Sequence, residues 1–283
     1  RSTQSSRRQR QMCIRDSLGG GELNNQELIS LLSQGGHDIL KINSHNVCLN
    51  FLDKNKNSSF IISNFVNLKP ECIKHISDNL NYVIYEHDHK YLPERNPAFY
   101  KDFKAPRDKI VNFDFYKKAK TVFCQSNFHS GIVNKNLELD NIVSLNGNLW
   151  SLESLEKIKD LSKKEKNNKC SILDSKIPHK NTYGAISYCA HKKLKYDLIS
   201  SNDYFTFLER VGANNRLIFF PKTPETLSRI VVEARMMGMS VITNNLVGAT
   251  KEDWFSCKGE ELIKIMNEKR ESIPSVILEK LNG

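Results

Sequence analysis

Residues 216–250 read RLIFFPKTPETLSRIVVEARMMGMSVITNNLVGAT: a short apolar strand (217–220), a loop bracketed by prolines, an amphipathic helix and a second strand (241–243). Leu227, Ile230, Val231, Ala234 and Met237 recur at three- and four-residue intervals, giving one apolar helical stripe that packs on a sheet. Glu225 precedes that helix, at the carboxyl end of the strand, where open α/β sheets bind ligands. The first helical turn offers unpaired N–H groups and a positive dipole end, which suits a diphosphate. Glu233 lies two turns further on, where a carboxylate can accept both hydroxyls of a ribose.

Taken with Pro221, the Glu233–Ala234 pair, Gly238 and Gly248, the segment resembles the donor-sugar site of retaining glycosyltransferases of the GT-B fold, especially glycosyltransferase family 4. The resemblance implies an α/β chain of two Rossmann-like domains facing across a cleft. It implies that Glu225 holds hydroxyls of the transferred sugar and Glu233 the ribose of the nucleotide. Where that family carries Gly-Phe-Gly after the first Glu, this chain has Thr226, Leu227 and Ser228, followed by Arg229. Side-chain donors of Ser228 and Arg229 then stand in for backbone amides at the phosphate. Gly248, Ala249 and Glu252 resemble the family's G-G-x-x-E loop, which faces the donor sugar.

Upstream, CSILDS (170–175) is a strand that opens the donor domain, and KIPHKNTYGAI follows it. Family-4 enzymes place two basic residues here against the diphosphate, and Lys176 and Lys180 fall in those positions. The family's G-R and K-G pairs are missing, but lysine also neutralises phosphate charge. Residues 151–169 carry little apolar periodicity beyond Leu152, Leu155 and Ile158, and read as a helix fading into a solvated linker.

The first half alternates in α/β fashion, with strands at 38–43, 59–63, 82–85, 121–125 and 141–145 and helices at 70–80 and 126–136. Directly after the strand at 82–85 stands EHDHKYLPERNP (86–97), a cluster of ionisable groups where sites in such folds collect. His87, Asp88 and His89 are no metal set, because consecutive residues on an extended loop point apart. By resemblance, His87 or His89 contacts the donor sugar near the reacting centre, with His89 and Arg95 on the acceptor side. Glycines 19 to 21 run into a helix (Leu23, Leu28, Leu31, Leu32) closed by Gly35 and Gly36. Gly20 and Gly21 match the glycines through which the acceptor domain approaches its substrates, or mark a flexible junction. The strand that normally precedes them is absent from this reading, which implies a chain truncated at its N-terminus. The C-terminal helix that in the family returns to the first domain is expected to be cut short.

The chain of 283 residues carries a net charge of +10. Its first seventeen residues, RSTQSSRRQRQMCIRDS, supply +4 of this and lack apolar periodicity. They read as vector-like sequence or a disordered basic tail, outside the fold. The remaining +6 suits an anionic ligand such as a nucleoside diphosphate sugar, or peripheral contact with an anionic membrane surface. No nucleic-acid-binding motif accompanies it. Seven scattered cysteines without a C-x-x-C pair indicate reduced thiols in a cytoplasm. The domains expected are a tail at 1–17, an acceptor-side domain at 18–150, a linker at 151–169 and a donor domain at 170–283.

The activity implied is transfer of a sugar from a nucleotide-sugar donor to a glycan or lipid-linked acceptor, with retention, without metal and without a bound cofactor. Basic side chains and a helix N-terminus neutralise the leaving diphosphate. Two alternatives share the fold: a nucleotide-sugar epimerase and a non-catalytic nucleotide-sugar-binding protein.

Overall fold

The computed structural model describes residues 20–283 in full and residues 10–15 as backbone. The first domain runs β1 (Arg10–Arg15), α1 (Gly20–Gln34), β2 (Asp38–Asn43), α2 (Leu49–Lys54), β3 (Ser59–Ile62), α3 (Pro70–Asn79), β4 (Asn81–Tyr85), α4 (Phe113–Lys118), β5 (Val122–Cys124), α5 (Asn127–Leu137) and β6 (Ile142–Ser144). The second runs α6 (Leu152–Lys163), β7 (Asn167–Leu173), α7 (Thr182–His191), β8 (Tyr196–Ile199), α8 (Tyr204–Gly212), β9 (Asn214–Phe219), α9 (Arg229–Met236), β10 (Ser240–Thr243) and α10 (Glu260–Asn282). Every strand pairing is parallel, in the orders β2-β1-β3-β4-β5-β6 and β10-β9-β7-β8.

Period-two alternation explains how one sheet carries two cores. Phe60, Ile62, Tyr82, Ile84, Val122 and Cys124 face one side, toward α2, α3 and α4. Ile61, Val83, Tyr85 and Phe123 face the other, against Leu28 and Leu32 of α1. In the second sheet, Cys170, Ile172 and Ile218 lie under α7, while Leu217 and Phe219 meet α6, α8 and α9. Gly36, at φ 84°, ends α1 as the sequence predicts, with His37 N–H returning to the Leu32 carbonyl at 3.1 Å.

Three expectations are corrected here. Arg10–Arg15, assigned to the tail, forms β1 in the interior of the first sheet, in register with both β2 and β3. The sheet therefore has its first strand. Residues 151–169 are no solvated linker: α6 buries Leu155, Ile158 and Leu161 in the second domain's core, and β7 begins at Asn167. The last helix is long enough to span both domains. Leu262, Ile263 and Met266 of α10 join the second core, whereas Ile273, Ile277 and Leu281 pack beneath the first sheet. Lys120 Nζ and Asn81 Nδ2 both donate to the Leu281 carbonyl, at 3.1 and 3.0 Å. Among the described residues no helix is long and apolar enough to cross a membrane.

Candidate functional site

The carboxyl ends of the two sheets face each other across a cleft. Into it project the N-termini of α1 and α9, the loop after β4 and the loop after β9. The cleft encloses a cavity of about 400 Å³, whose walls include Gly20, Gly21, His87, Lys180, Glu225, Ser228, Arg229 and Glu233. A second cavity of about 490 Å³ adjoins it, shares His87, Lys180, Glu225 and Thr226, and adds His89 and Arg95. The fold thus brings most of the predicted site residues to one place. Lys176 is exposed and lies in neither wall.

The loop after β4 is organised by Glu86, which sequence reasoning passed over. Its fully buried Oε1 accepts the backbone N–H of His87 (3.1 Å) and Asp88 (3.0 Å) and the Lys90 ammonium; Oε2 accepts the Tyr116 hydroxyl. Burial pushes the Glu86 carboxyl up to about 6, against the pull of Lys90. The His87 ring sits between Asn25 Oδ1 (2.7 Å, on Nε2) and Gln125 Nε2 (2.8 Å, on Nδ1). Gln125 Nε2 can only donate, so His87 Nε2 carries the proton and the imidazole is neutral. Burial, reinforced by Lys90, lowers its pKa to about 3. α1 starts against His87: a Cβ on Gly21 would stand 3.5 Å from that ring, an ordinary contact. His87, Asp88 and His89 diverge, as expected: Asp88 turns to Lys90 (2.9 Å) and His89 Nδ1 to the Tyr91 hydroxyl (3.0 Å).

On the opposite wall, Lys180 Nζ meets both Glu225 oxygens, at 2.8 and 3.1 Å. Glu233 is buried; its Oε1 accepts hydrogen bonds from Trp150 Nε1 at 3.0 Å and the Tyr204 hydroxyl at 2.6 Å, and forms an ion pair with Arg229, whose Nε lies 3.1 Å away without hydrogen-bond geometry. Arg229 also donates to the Leu149 carbonyl (2.7 Å) and lies 4.3 Å over the Trp150 ring. Its guanidinium is therefore engaged inside the protein rather than open for phosphate, contrary to the expectation. Trp150 and Tyr204 left no signal in sequence, because they reach Glu233 from far along the chain.

Ser228 adopts φ 73°, the left-handed region, at the N-terminus of α9. That is where the resembled family has the last glycine of Gly-Phe-Gly, and here a serine takes the backbone conformation that glycine favours. Its Oγ is buried at the cavity wall with no partner among the described residues.

Gly248 and Ala249 do not line the cavity; they hold the Glu225 loop from behind. Gly248 N–H donates to the Glu225 carbonyl (2.9 Å) and Ala249 N–H to that of Leu227 (3.0 Å). Glu252 does not face the cavity either: its Oε1 accepts the Asn127 N–H (2.6 Å), capping α5 of the other domain. A Cβ on Gly248 would fall 2.3 Å from the Thr226 carbonyl oxygen and 2.5 Å from Ser126 Oγ, the two partners of a hydrogen bond between domains. Gly248→Ala is therefore expected to cost about 2 to 3 kcal/mol, the upper range for an overpacked site. Urea denaturation measures this, and a loss under about 0.5 kcal/mol would show that the turn yields freely.

No family model and no curated protein sequence matches the chain. Among solved structures it is similar to HepE of Anabaena in complex with UDP and glucose. The TM-score is 0.57 at 12% identity, over 94% of this chain and 89% of that one. The fold is GT-B. HepE with UDP-glucose aligns with a TM-score of 0.54 at 12% identity, covering 96% and 91% of the two chains. An alpha-glucosyltransferase in complex with UDP and a 13-mer DNA gives 0.49 at 11% identity, covering 94% and 90%. At these identities the likeness is one of architecture.

Proposed function

We propose that this protein is a glycosyltransferase that moves a sugar from a nucleoside diphosphate sugar to a glycan or other acceptor, with retention and without a metal ion. The observation that carries the reading is the cleft cavity. Two helix N-termini meet there, with Ser228 Oγ, which has no partner among the described residues, at one of them and the Lys180–Glu225 pair beside it. Helix N-termini and Lys180 complement a diphosphate, and carboxylates accept sugar and ribose hydroxyls. HepE, a protein of the same architecture, holds UDP and glucose.

On binding, Lys180 turns to the leaving phosphate and releases Glu225 to the sugar hydroxyls, so one ion pair serves both halves of the donor. His87, neutral and fixed by Asn25 and Gln125, packs against the start of α1 and shapes the space beside the transferred sugar. The acceptor attacks from the face that the diphosphate leaves. The positive groups stabilise the charge that develops on the departing phosphate.

Thermal-shift measurements with a panel of uridine, adenosine and guanosine diphosphate sugars in EDTA test this. One donor is expected to stabilise the protein by about 2.7 kcal/mol at a hundredfold excess over Kd. Glu225→Gln should weaken the nucleotide sugar while leaving the bare nucleoside diphosphate bound. Indifference to every donor rejects the proposal. A second reading, a non-catalytic nucleotide-sugar binder, is favoured by one fact: Lys180, Arg229, Glu233 and His87 are all paired within the protein. Donor binding without transfer or donor hydrolysis selects it.

A further inference from the structure

The second cavity carries features that the donor leaves unused. Phe99 stands in its wall with 69% of its surface exposed. The loop that presents it is not slack. Pro97 is buried, and Asn96 Oδ1 accepts the Ala98 N–H at 3.0 Å. Asn136 ties down the Phe103 carbonyl and the Ala105 N–H, both at 2.8 Å, while Lys135 Nζ holds the Asp102 carbonyl at 2.7 Å. Three non-glycine residues of this loop are left-handed: Arg95 at φ 52°, Asp102 at 53° and Phe103 at 61°. A pinned and strained loop that delivers a large aromatic ring to water gains nothing from folding, and such strain gathers at ligand sites.

The surrounding polar groups narrow the ligand. Arg95 and Lys180 offset most of the charge of Asp88, Glu94 and Glu225, and His179, its pKa lowered by burial, adds a neutral ring, so the wall has no concentration of one charge. Its apolar surface is confined to Phe99, Pro97 and Pro224. Neither a lipid phosphate nor a polyprenyl chain is well served by that lining. His89, also in the wall, is 2% exposed, and its Nε2 has no hydrogen-bond partner among the described residues. Arg95 reaches Asp88 only at 3.4 Å, a loose pair that can open toward hydroxyls.

We propose that this cavity is an acceptor site for a neutral carbohydrate, with the Phe99 ring stacking on the C–H face of a sugar and Asp88 and Arg95 holding its hydroxyls. An aromatic ring matches the apolar face of a pyranose, and paired charges match its rim of donors and acceptors. The inference rests on the glycosyltransferase reading for the fate of the sugar, but its binding can be observed alone.

Saturation-transfer NMR, without any donor, tests it on methyl glycosides of glucose, galactose and mannose and on maltose, cellobiose and N,N′-diacetylchitobiose. At least one sugar is expected to receive saturation at its C–H protons from the protein. Phe99→Ala should weaken that sugar by about tenfold, and Phe99→Trp should restore it. Because Phe99 is exposed, both variants retain the fold, which a thermal melt confirms. Silence across the panel, binding indifferent to Phe99, or preferential binding of detergent-dispersed polyprenyl phosphate would each overturn the proposal. Sugar binding in a protein indifferent to nucleotide sugars would uphold this site while refuting the donor reading.

Discussion

Lowering the pH from about 7.5 to about 5 is expected to remove several kcal/mol of folding stability, far more than surface histidines would. Three histidines at the cleft are neutral: His89 and His129 are buried, and His87 is partly buried in the cavity wall. Burial is the first cause in each, lowering His87 to about 3 and His129 to about 4, and His89 well below its ordinary value. His129 shows why charge is excluded: its Nε2–H donates to the Asp88 carbonyl (2.9 Å), while its Nδ1 accepts the Gln125 N–H (3.2 Å). Each folded pKa lies below the unfolded one, so the unfolded chain takes up protons first as the pH falls through about 6.5. Stability is complete above that point and declines toward the folded values, by roughly 2 kcal/mol per histidine at pH 5. Glu86 opposes this. Its raised pKa penalises the folded state at neutral pH, and acid relieves about 1 kcal/mol of that. Asp88, held low chiefly by Lys90 against its own burial, adds a loss only in stronger acid. Urea midpoints at the two pH values decide the matter, and equal midpoints would show that the three rings are accessible to protons.

The sequence discloses the second domain well because its strands are short, apolar and separated by helical periods. Leu217, Ile218 and Phe219 are buried on both faces, so no polar residue interrupts them. β1 escaped for the opposite reason: RQMCIR begins and ends in arginine and sits in a basic stretch, so charge masks an interior strand. In α6 the apolar positions are there, at Leu155, Ile158 and Leu161, but the acids and lysines between them read as solvent-facing. At the site, Glu225 is legible from its place after a strand at the cleft, whereas Lys180 is legible only through the resemblance to family-4 donor domains; the fold sets the two side by side. What escaped are groups that matter through long-range contact. Thr226 Oγ1 meets Gln125 Oε1 of the other domain, and Gln125 in turn fixes His87. A 101-residue separation leaves no periodic trace. The opposite error concerns Gly248 and Glu252, whose motif match suggested ligand contact although they join the domains.

Glu233→Ala is expected to destabilise the protein by about 3 to 5 kcal/mol, the cost of stranding a buried partner. Arg229 is the stranded group: its side chain is 10% exposed, and Glu233 is its only carboxylate partner among the described residues. Trp150 Nε1 and the Tyr204 hydroxyl lose their acceptor at the same time. If the loss comes from the uncompensated charge, Arg229→Met in the same chain should recover most of it, because a paired deletion removes both charges together. A double-mutant cycle by urea denaturation measures the coupling. Additive losses would mean that Glu233 acts chiefly on Trp150 and Tyr204. The same cycle separates support from ligand contact. Trp150 and Tyr204 donate hydrogen bonds to Oε1, Arg229 pairs with it by charge, and Oε2 accepts no hydrogen bond from the three. Oε1 is thus the fixed point that orients the carboxylate, and under the proposed function Oε2 is the atom that would take the ribose. A double variant that regains stability yet binds no nucleotide sugar would assign Oε2 to the donor. One that regains both would leave Glu233 as a structural acid beside the cleft.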